Sequence, residues 1–218
     1  MKKKNWFGIW FILLLPMVIP SNLIAANRLS AYQNLDGLNP EVLALGLKAY
    51  QCGVVHRLVK VPLLTIVDYT LPSSQKRLWV IDPQKHKILY RLLVAQGVNS
   101  GTFYARYFSN KVGSLESSLG VFITGASYYG KHGYSMRLYG LEKGINNNAY
   151  ERDIVMHSAW YVNDSFVKKY GRLGRSWGCL AINPAVVHQV IDLLKGGSMI
   201  FSYAPSERQD KYIRKCEF

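Results

Sequence analysis

The sequence is poor in cysteine, in charged residues and in the short motifs that mark nucleotide or zinc binding. Three cysteines in 218 residues are too few for a small fold built on a disulfide framework. The motifs G-x-x-x-x-G-K-[ST], G-x-G-x-x-G and C-x-x-C do not occur, so a nucleotide cradle and a zinc ribbon have no support. Charged residues make up 18% and hydrophobic residues 49%, which excludes a coiled coil and a disordered chain.

The length predicts one domain, or one domain with a small addition, and enough chain to bury a core without disulfides. Lys and Arg number 27 whereas Asp and Glu number 13, so the formal net charge is +14. An excess of this size favours anionic partners, such as nucleic acid, a membrane surface or an acidic polymer.

Residues 1–26 have the pattern of an export signal. Lysines open the segment, an apolar run extends from Trp6 to Ile19, and Ala25 and Ala26 offer a cleavage site. An uncleaved membrane anchor is the alternative. A basic protein outside the cytosol meets a cell envelope rather than a nucleic acid. We therefore expect an exported protein of the periplasm or cell envelope, with no nucleic-acid partner.

Short apolar runs after residue 63 predict β-strands. The predicted strands are Leu64–Tyr69, Arg77–Ile81, Ile88–Ala95, Gly120–Thr124, Ser135–Leu141, Ile154–Ser158 and Met199–Tyr203. One clear helix, Pro184–Leu194, interrupts them and stops at two glycines. This pattern predicts a mainly β (α+β) fold, namely an antiparallel sandwich or barrel with a few helices.

A helical segment precedes the strands and a polar tail follows them. Asn39 is suited to cap a helix with Pro40 at its first position, and Gly53 marks its end. We expect the tail to pack loosely or to extend. The predicted division is an export signal at 1–26, a helical segment at 27–60, a catalytic domain at 61–205 and the tail at 206–218.

Cys179 follows Gly178 in a basic loop and is the strongest candidate for a nucleophile. The glycine lets a substrate carbonyl approach, and consecutive backbone N–H groups can point at its oxygen. Arg172 and Arg175 would stabilise a thiolate if they lie close to it. His157, near the end of an apolar run, would take the thiol proton. The alternatives are a buried structural cysteine and a histidine satisfied within the core.

These residues resemble the motif of the L,D-transpeptidase catalytic domain, a family that remodels bacterial peptidoglycan. That family carries a His, a loop and then Ser/Thr-His-Gly-Cys. His157, Ser176, Gly178 and Cys179 match it within a region of similarity at residues 63–204. The resemblance implies that Cys179 is the nucleophile and His157 its base, and it implies the barrel-like β fold of that domain.

Two positions depart from the family motif. Trp177 stands where the family has the second His, and Ala181 stands where it usually has Arg or Asn. The sequence is thus typical of a divergent branch with R-S-x-G-C in place of S-H-G-C. Arg175, Arg172 and Arg152 are candidates to anchor a substrate carboxylate, because a guanidinium pairs with one in bidentate fashion. For each arginine alone, a solvated surface charge is the alternative.

Three further side chains are assigned to substrate binding. Trp177 adjoins the nucleophile, Tyr134 lies in a run rich in glycine and tyrosine, and His132 would add a polar group near the cleft. A strand with bulges explains the tyrosine-rich run as well. No metal site is predicted, because the spacing of His132, His157 and Cys179 matches no zinc pattern.

The resemblance implies a cysteine acyltransferase that acts on peptidoglycan stem peptides without a cofactor or metal. It would expel the terminal D-alanine of one stem and pass the thioester to an amine of a neighbouring stem. Transfer to water instead would make it an L,D-carboxypeptidase. A non-catalytic basic module that binds the cell wall is the alternative from another class. Stem peptides are the expected partners; proximity to a membrane surface is left open, and no obligate protein partner is evident.

The other two cysteines offer a disulfide. An oxidising compartment tends to pair thiols, and an odd cysteine left over suggests a free reactive group. If Cys179 is the nucleophile, Cys52 and Cys216 remain as the pair, and their bridge would tie the tail to the helical segment. Two unpaired cysteines are the alternative.

Overall fold

The structure is a computed structural model that describes residues 31–32 and 34–218. The predicted export signal lies outside these residues. The helices are α1 (Pro40–Val55), α2 (Asp164–Tyr170), α3 (Val187–Leu194) and α4 (Lys211–Lys215), with 3-10 turns at Val98–Ser100 and Pro205–Gln209. The strands are β1 (Leu64–Asp68), β2 (Leu78–Asp82), β3 (Lys87–Leu92), β4 (Gly120–Gly130), β5 (Gly133–Gly140), β6 (Val155–Ser158), β7 (Leu180–Ile182) and β8 (Met199–Tyr203). In this described part of the chain, no helix has the length and apolar character needed to cross a bilayer.

The eight strands form one sheet in the order β3-β2-β1-β8-β4-β5-β6-β7. The β1–β8 and β6–β7 pairs are parallel and the other neighbours are antiparallel. The chain after β3 returns to the far edge, where the Ala95 N–H donates to the Ala181 carbonyl at 3.0 Å and the Val98 N–H to the Ser176 carbonyl at 2.8 Å. These bonds nearly close the sheet. The predicted mainly β, barrel-like fold is confirmed, with two parallel pairs in a sheet that we expected to be antiparallel.

Both faces of the central strands are buried. Val80 and Ile200 belong to a core that includes the inner side of α3. Their neighbours Trp79 and Phe201 point the other way and pack against α1. Because a layer covers each face, every residue of β1, β2 and β8 is buried, and these strands are mostly apolar rather than alternating.

Helix α1 begins where the sequence predicts and ends later. The Asn39 side chain accepts the Glu41 N–H at 2.8 Å, and Pro40 takes the first helical position. The helix continues through Gly53, so the predicted stop at that residue is wrong. Gly53 serves packing instead, since a Cβ there would lie 2.2 Å from Cε of Met199.

The C-terminal tail is folded against the domain, so the prediction of a loose or extended tail is wrong. A disulfide joins Cys216 to Cys52 in α1, with Cα atoms 5.3 Å apart, which confirms the predicted pair. Glu207 and Ile213 are buried. The Asp210 side chain caps α4 by accepting two backbone N–H groups. The tail is therefore fixed both covalently and by burial.

Two features of the fold are absent from the sequence prediction. Helix α2 is capped by Asn163, and none of its residues is fully buried. Strand β4 runs beyond its predicted end at Thr124, through a bulge, to Gly130. A turn at Lys131 and His132 then leads into β5. This long hairpin carries its turn to the site described next.

Candidate active site

The register of β6 against β7 places the two motif residues close together. The strands are parallel, and His157 lies opposite Ala181. Cys179 lies in the turn immediately before β7, two positions before Ala181. Cys179 and His157 both line one cleft of about 850 Å³. The structure thus brings the candidate nucleophile and the candidate base into one cavity.

The cleft is lined by several loops that carry positive charge. The turn of the β4–β5 hairpin contributes Lys131 and His132, and the loop before β6 contributes Arg152. Tyr161 and Arg175 come from the segment between β6 and β7. Three cations around one cavity favour a substrate that carries negative charge.

Ser176 organises the turn that presents the thiol. Its hydroxyl donates to the Cys179 carbonyl at 2.8 Å and accepts the Gly178 N–H at 3.2 Å. Gly178 has a φ of 114°, and a Cβ there would lie 2.5 Å from the Glu116 carbonyl oxygen, so glycine is required. The Gly178 N–H is engaged and is not free for an oxyanion. The Cys179 N–H donates to none of the described residues and is the backbone donor that remains.

His157 is buried and held in one tautomer. Its Nδ1 lies 2.8 Å from the Ser158 carbonyl oxygen, which can only accept, so Nδ1 of the neutral ring carries the proton and Nε2 can accept one. Burial lowers the pKa of His157; the bond to Ser158 opposes this, and the nearby His132 and Lys131 lower the pKa further. The ring is therefore neutral at neutral pH, as a general base must be.

The Cys179 thiol is protonated at neutral pH. Burial raises its pKa, and Asp153 adds to this, whereas the Val155 N–H, Lys131 and Arg152 lower it. Sγ donates to the Asp153 carbonyl oxygen at 3.3 Å. Because the thiolate is the nucleophile, a base has to remove this proton before the sulfur can attack.

Arg152 anchors the loop beside the cleft. Its guanidinium donates to the Ser109 carbonyl and the Ser118 hydroxyl, to the Ser114 hydroxyl at 3.0 Å and to the Glu116 carbonyl at 2.6 Å. These bonds engage both Nη atoms. The charge of Arg152 therefore lowers the pKa of the nearby thiol, but both of its Nη atoms are already engaged and are not free to pair with a substrate carboxylate.

Arg175, Trp177 and His132 line the cleft, as the sequence analysis expects of binding residues. Arg175 donates through Nη1 to the Val98 carbonyl at 3.1 Å. Trp177 is 67% exposed, and the Lys131 Nζ lies 5.2 Å from the centroid of its ring. Trp177 thus forms an aromatic rim held beside a cation.

Tyr134 and Arg172, the other two predicted binding residues, do not line the cleft. The Tyr134 hydroxyl donates to Asp192 at 2.6 Å, and its ring stacks on that of His188 with centroids 4.7 Å apart. Arg172 donates to the carbonyl of its neighbour Leu173 at 2.8 Å. Neither residue is therefore among those that line the cavity, and the role in substrate binding stays a prediction for both.

Tyr161 and Lys131 line the cleft but were not singled out from the sequence. Burial raises the pKa of Tyr161 to about 12, and the nearby Cys179 adds to the shift, so its hydroxyl remains a donor near the sulfur. The sequence around Lys131 does contain a pattern that would have placed this residue in a turn. The run Gly130-Lys131-His132-Gly133 is a two-residue turn with a glycine on each side, typical of a hairpin. Tyr161 reaches the cleft only through the tertiary fold, and no sequence pattern indicates its role.

A protonated thiol, a neutral imidazole and a free backbone N–H in one cavity are the groups that cysteine-dependent acyl transfer requires. The chain matches the L,D-transpeptidase catalytic domain family over residues 34–203. This protein belongs to that family.

Several solved structures of L,D-transpeptidases are similar to this chain at low identity. An L,D-transpeptidase from Mycobacterium smegmatis is 15% identical, with 66% of this chain and 59% of that chain covered and a TM-score of 0.41. L,D-transpeptidase 1 of Mycobacterium tuberculosis is 12% identical, with 65% and 62% covered and a TM-score of 0.38. An L,D-transpeptidase from Stackebrandtia nassauensis is 12% identical, with 83% and 89% covered and a TM-score of 0.38. The matched region spans less than two thirds of each mycobacterial chain. No curated protein matches this chain.

Proposed function

We propose that this protein is an L,D-transpeptidase that cross-links peptidoglycan stem peptides through a thioester on Cys179. The observation that carries the proposal is that Cys179, directly before β7, and His157, on the neighbouring strand β6, line one cleft in a chain of this family. A module that only binds the wall needs neither a thiol nor a base, so this pairing favours catalysis over binding alone.

In the first half-reaction, Nε2 of His157 takes the thiol proton as the sulfur attacks the carbonyl carbon of the third stem residue, a diamino acid. A carbon–sulfur bond forms, and the carbonyl electrons move to the oxygen, where the Cys179 N–H stabilises them. His157 then returns the proton to the nitrogen of the terminal D-alanine as the carbon–nitrogen bond breaks. The products are the thioester and free D-alanine.

In the second half-reaction, an amine of a neighbouring stem attacks the thioester. His157 takes a proton from the amine and gives it to the departing sulfur, which restores the thiol and leaves a new amide bond. If water attacks instead, the product is a shortened stem, and the enzyme acts as an L,D-carboxypeptidase with the same residues. The nucleophile that reaches the thioester decides between these outcomes.

Arg175 is the residue that we assign to the substrate carboxylate, together with Lys131. Both line the cleft, and among the described residues Arg175 donates only through Nη1, at the Val98 carbonyl. Arg152 is less suited, because both of its Nη atoms already donate to the neighbouring loop. A guanidinium with one free Nη and an ammonium can share one carboxylate.

The site of action that follows is the cell envelope, after export through the segment at residues 1–26. Peptidoglycan lies outside the cytosol, and the disulfide between Cys52 and Cys216 is of a kind that forms in oxidising compartments. The net charge of +14 also suits an anionic wall.

A carbapenem tests the nucleophile directly. Its strained lactam carbonyl acylates a nucleophilic thiol by ring opening, so intact-mass spectrometry should show one adduct with the full mass of the drug. We expect the adduct in the wild type and none in Cys179→Ala. His157→Ala should slow acylation by a factor of about 10² or more. Arg175→Gln should weaken substrate binding, whereas Arg172→Gln, its neighbour outside the cleft, is the matched control.

Wall binding without a carbapenem adduct would contradict the proposal. If the folded wild type forms no adduct and yet sediments with purified cell wall, the protein is a wall-binding module and the proposal is wrong.

A further inference from the structure

Three buried carboxylates meet outside the cleft. Glu142 follows β5, Glu207 lies in the 3-10 turn after β8, and Asp210 caps α4. One carboxylate oxygen of each lies within 4.8 Å of the others. Glu142 is 0% exposed, Glu207 is 4% and Asp210 is 6%. Carboxylates buried this deeply are paired with a cation or bind a metal in most proteins.

No protein cation balances this group. Among residues 31–32 and 34–218, no Lys, Arg or His forms an ion pair with Glu142, Glu207 or Asp210. Both carboxylate oxygens of Glu142 and Oε2 of Glu207 are buried without a hydrogen-bond partner in that part of the chain. Unpartnered carboxylate oxygens that face one another indicate a missing positive ligand.

Ionisation of the two buried glutamates is unfavourable. Burial, with the neighbouring carboxylates adding, raises the pKa of Glu142 to about 9 and that of Glu207 to about 8. The Val121 N–H lowers the pKa of Glu142 and offsets only part of this shift.

The backbone makes room for this group. Gly120 has a φ of 85°, and a Cβ there would lie 1.7 Å from Oε2 of Glu142. A side chain at this position would therefore occupy the space of the carboxylate. A cleft of about 470 Å³ is lined in part by Glu207 and Asp210, beside the buried Glu142.

We propose that Glu142, Glu207 and Asp210 form a Ca²⁺ site that ties the C-terminal segment to the end of β5. Ca²⁺ takes about six to eight oxygen ligands, carboxylates among them, at about 2.3–2.6 Å in a flexible geometry. One oxygen of each of the three carboxylates lies within 4.8 Å of the others, close enough for one ion to bind all three. Mg²⁺ usually keeps several waters and is bound by only one or two carboxylates, so a group of three carboxylates favours Ca²⁺.

The consequence of binding is structural. The raised pKa values leave Glu142 and Glu207 protonated near neutral pH, so the ion would replace these protons. It would join β5 to the segment that carries Cys216, which the disulfide holds at its other end. The site is separate from the cleft of Cys179 and His157, so the inference does not depend on the proposed function.

Calorimetric titration of the full mature chain, first freed of cations with EDTA, tests the proposal. We expect one Ca²⁺ per chain, with Mg²⁺ at least tenfold weaker. At a 100-fold excess of Ca²⁺ over Kd, the melting temperature of the wild type should rise by about 5–10 °C. Glu142→Gln and Glu207→Gln should each weaken Ca²⁺ binding at least tenfold. Glu151→Gln, an exposed acidic residue outside the group, is the matched control and should bind like the wild type.

Two results would overturn the proposed Ca²⁺ site. The proposal is overturned if the wild type shows no saturable Ca²⁺ binding, a result that requires no variant to fold. It is also overturned if Ca²⁺ raises the melting temperature of folded Glu142→Gln as much as that of the wild type, because the ion then binds elsewhere.

Discussion

The imidazole rings of His132 and His157 stack with their centroids 4.5 Å apart and their planes 24° from parallel. His132 sits in the exposed turn of the β4–β5 hairpin, whereas His157 is buried on β6. Two imidazoles this close cannot both take up a second proton and become positively charged at low energetic cost. The hairpin therefore covers the base and keeps it neutral.

Removing this cover should raise the pKa of the base. In His132→Ala, His157 becomes more solvated and loses a neighbouring imidazole that disfavours its protonation, and both changes raise its pKa from its lowered value towards the ordinary 6.5. The acid limb of the kcat/KM profile should then move to higher pH. Proton NMR titration of the His157 ring measures the shift. His188→Ala, which alters a ring packed on Tyr134, should leave it unchanged. An unchanged or lower pKa in His132→Ala would contradict this account.

The pKa of the Cys179 thiol is raised, whereas that of His157 is lowered, so the thiol should become reactive only at high pH. Burial raises the pKa of Cys179 above the ordinary thiol value. The rate of alkylation by iodoacetamide should therefore still rise at pH values where an ordinary thiol is fully ionised. Lys131→Gln should move the midpoint higher still, since Lys131 lowers this pKa. A wild-type midpoint below pH 7 would show a preformed thiolate, which this structure does not predict.

Arg152 should matter more for stability than for binding. Arg152→Met leaves the Ser109 and Glu116 carbonyls without their donor, and we expect a loss of about 2–4 kcal/mol in the free energy of unfolding. The loop at residues 101–118 should also become more sensitive to protease. Urea denaturation and limited proteolysis measure these effects. Arg106→Met, an exposed arginine in the same loop, should cost less than about 0.5 kcal/mol. Equal losses in both variants would remove the anchoring role.

The disulfide should account for much of the stability of the C-terminal segment. Cys52 and Cys216 are separated by 164 positions, and the loop-entropy relation gives about 5 kcal/mol as an upper limit for their bridge. The double variant Cys52→Ser, Cys216→Ser should melt at a lower temperature and lose protection of the tail. Thiol counting on unreduced, denatured protein should find one free thiol per chain. Three free thiols would contradict the bridge.

The sequence predicted the strands well where a short apolar run sufficed. Strand β8 has the predicted bounds, and β1 and β2 lie within one residue of theirs. It did not predict β7, because Leu180–Ile182 is too short to show a pattern. It missed α2, a short helix in which no residue is fully buried. The parallel pairing of β1 with β8 joins strands from opposite ends of the domain, which local pattern does not specify.

The sequence also gave the centre of the candidate site but not its surroundings. The motif around Cys179 singled out the thiol and the base, since both lie in or beside short runs with recognisable neighbours. Their partners come from distant loops, and only folding shows that Arg152 is engaged by its own loop and that Tyr134 packs against α3. Likewise, the facing of Glu142 and Glu207 follows from the return of the tail, which the sequence had suggested would be loose.

The most direct measurement of the central claim is the analysis of muropeptides after incubation of the mature protein with purified peptidoglycan. Mass spectrometry should show release of terminal D-alanine and, for a transpeptidase, new cross-links that begin at the third stem residue. Shortened stems without new cross-links would point to hydrolysis by the same thioester. Cys179→Ala should produce neither change. Unchanged muropeptides with the folded wild type, or equal products from Cys179→Ala, would contradict the account.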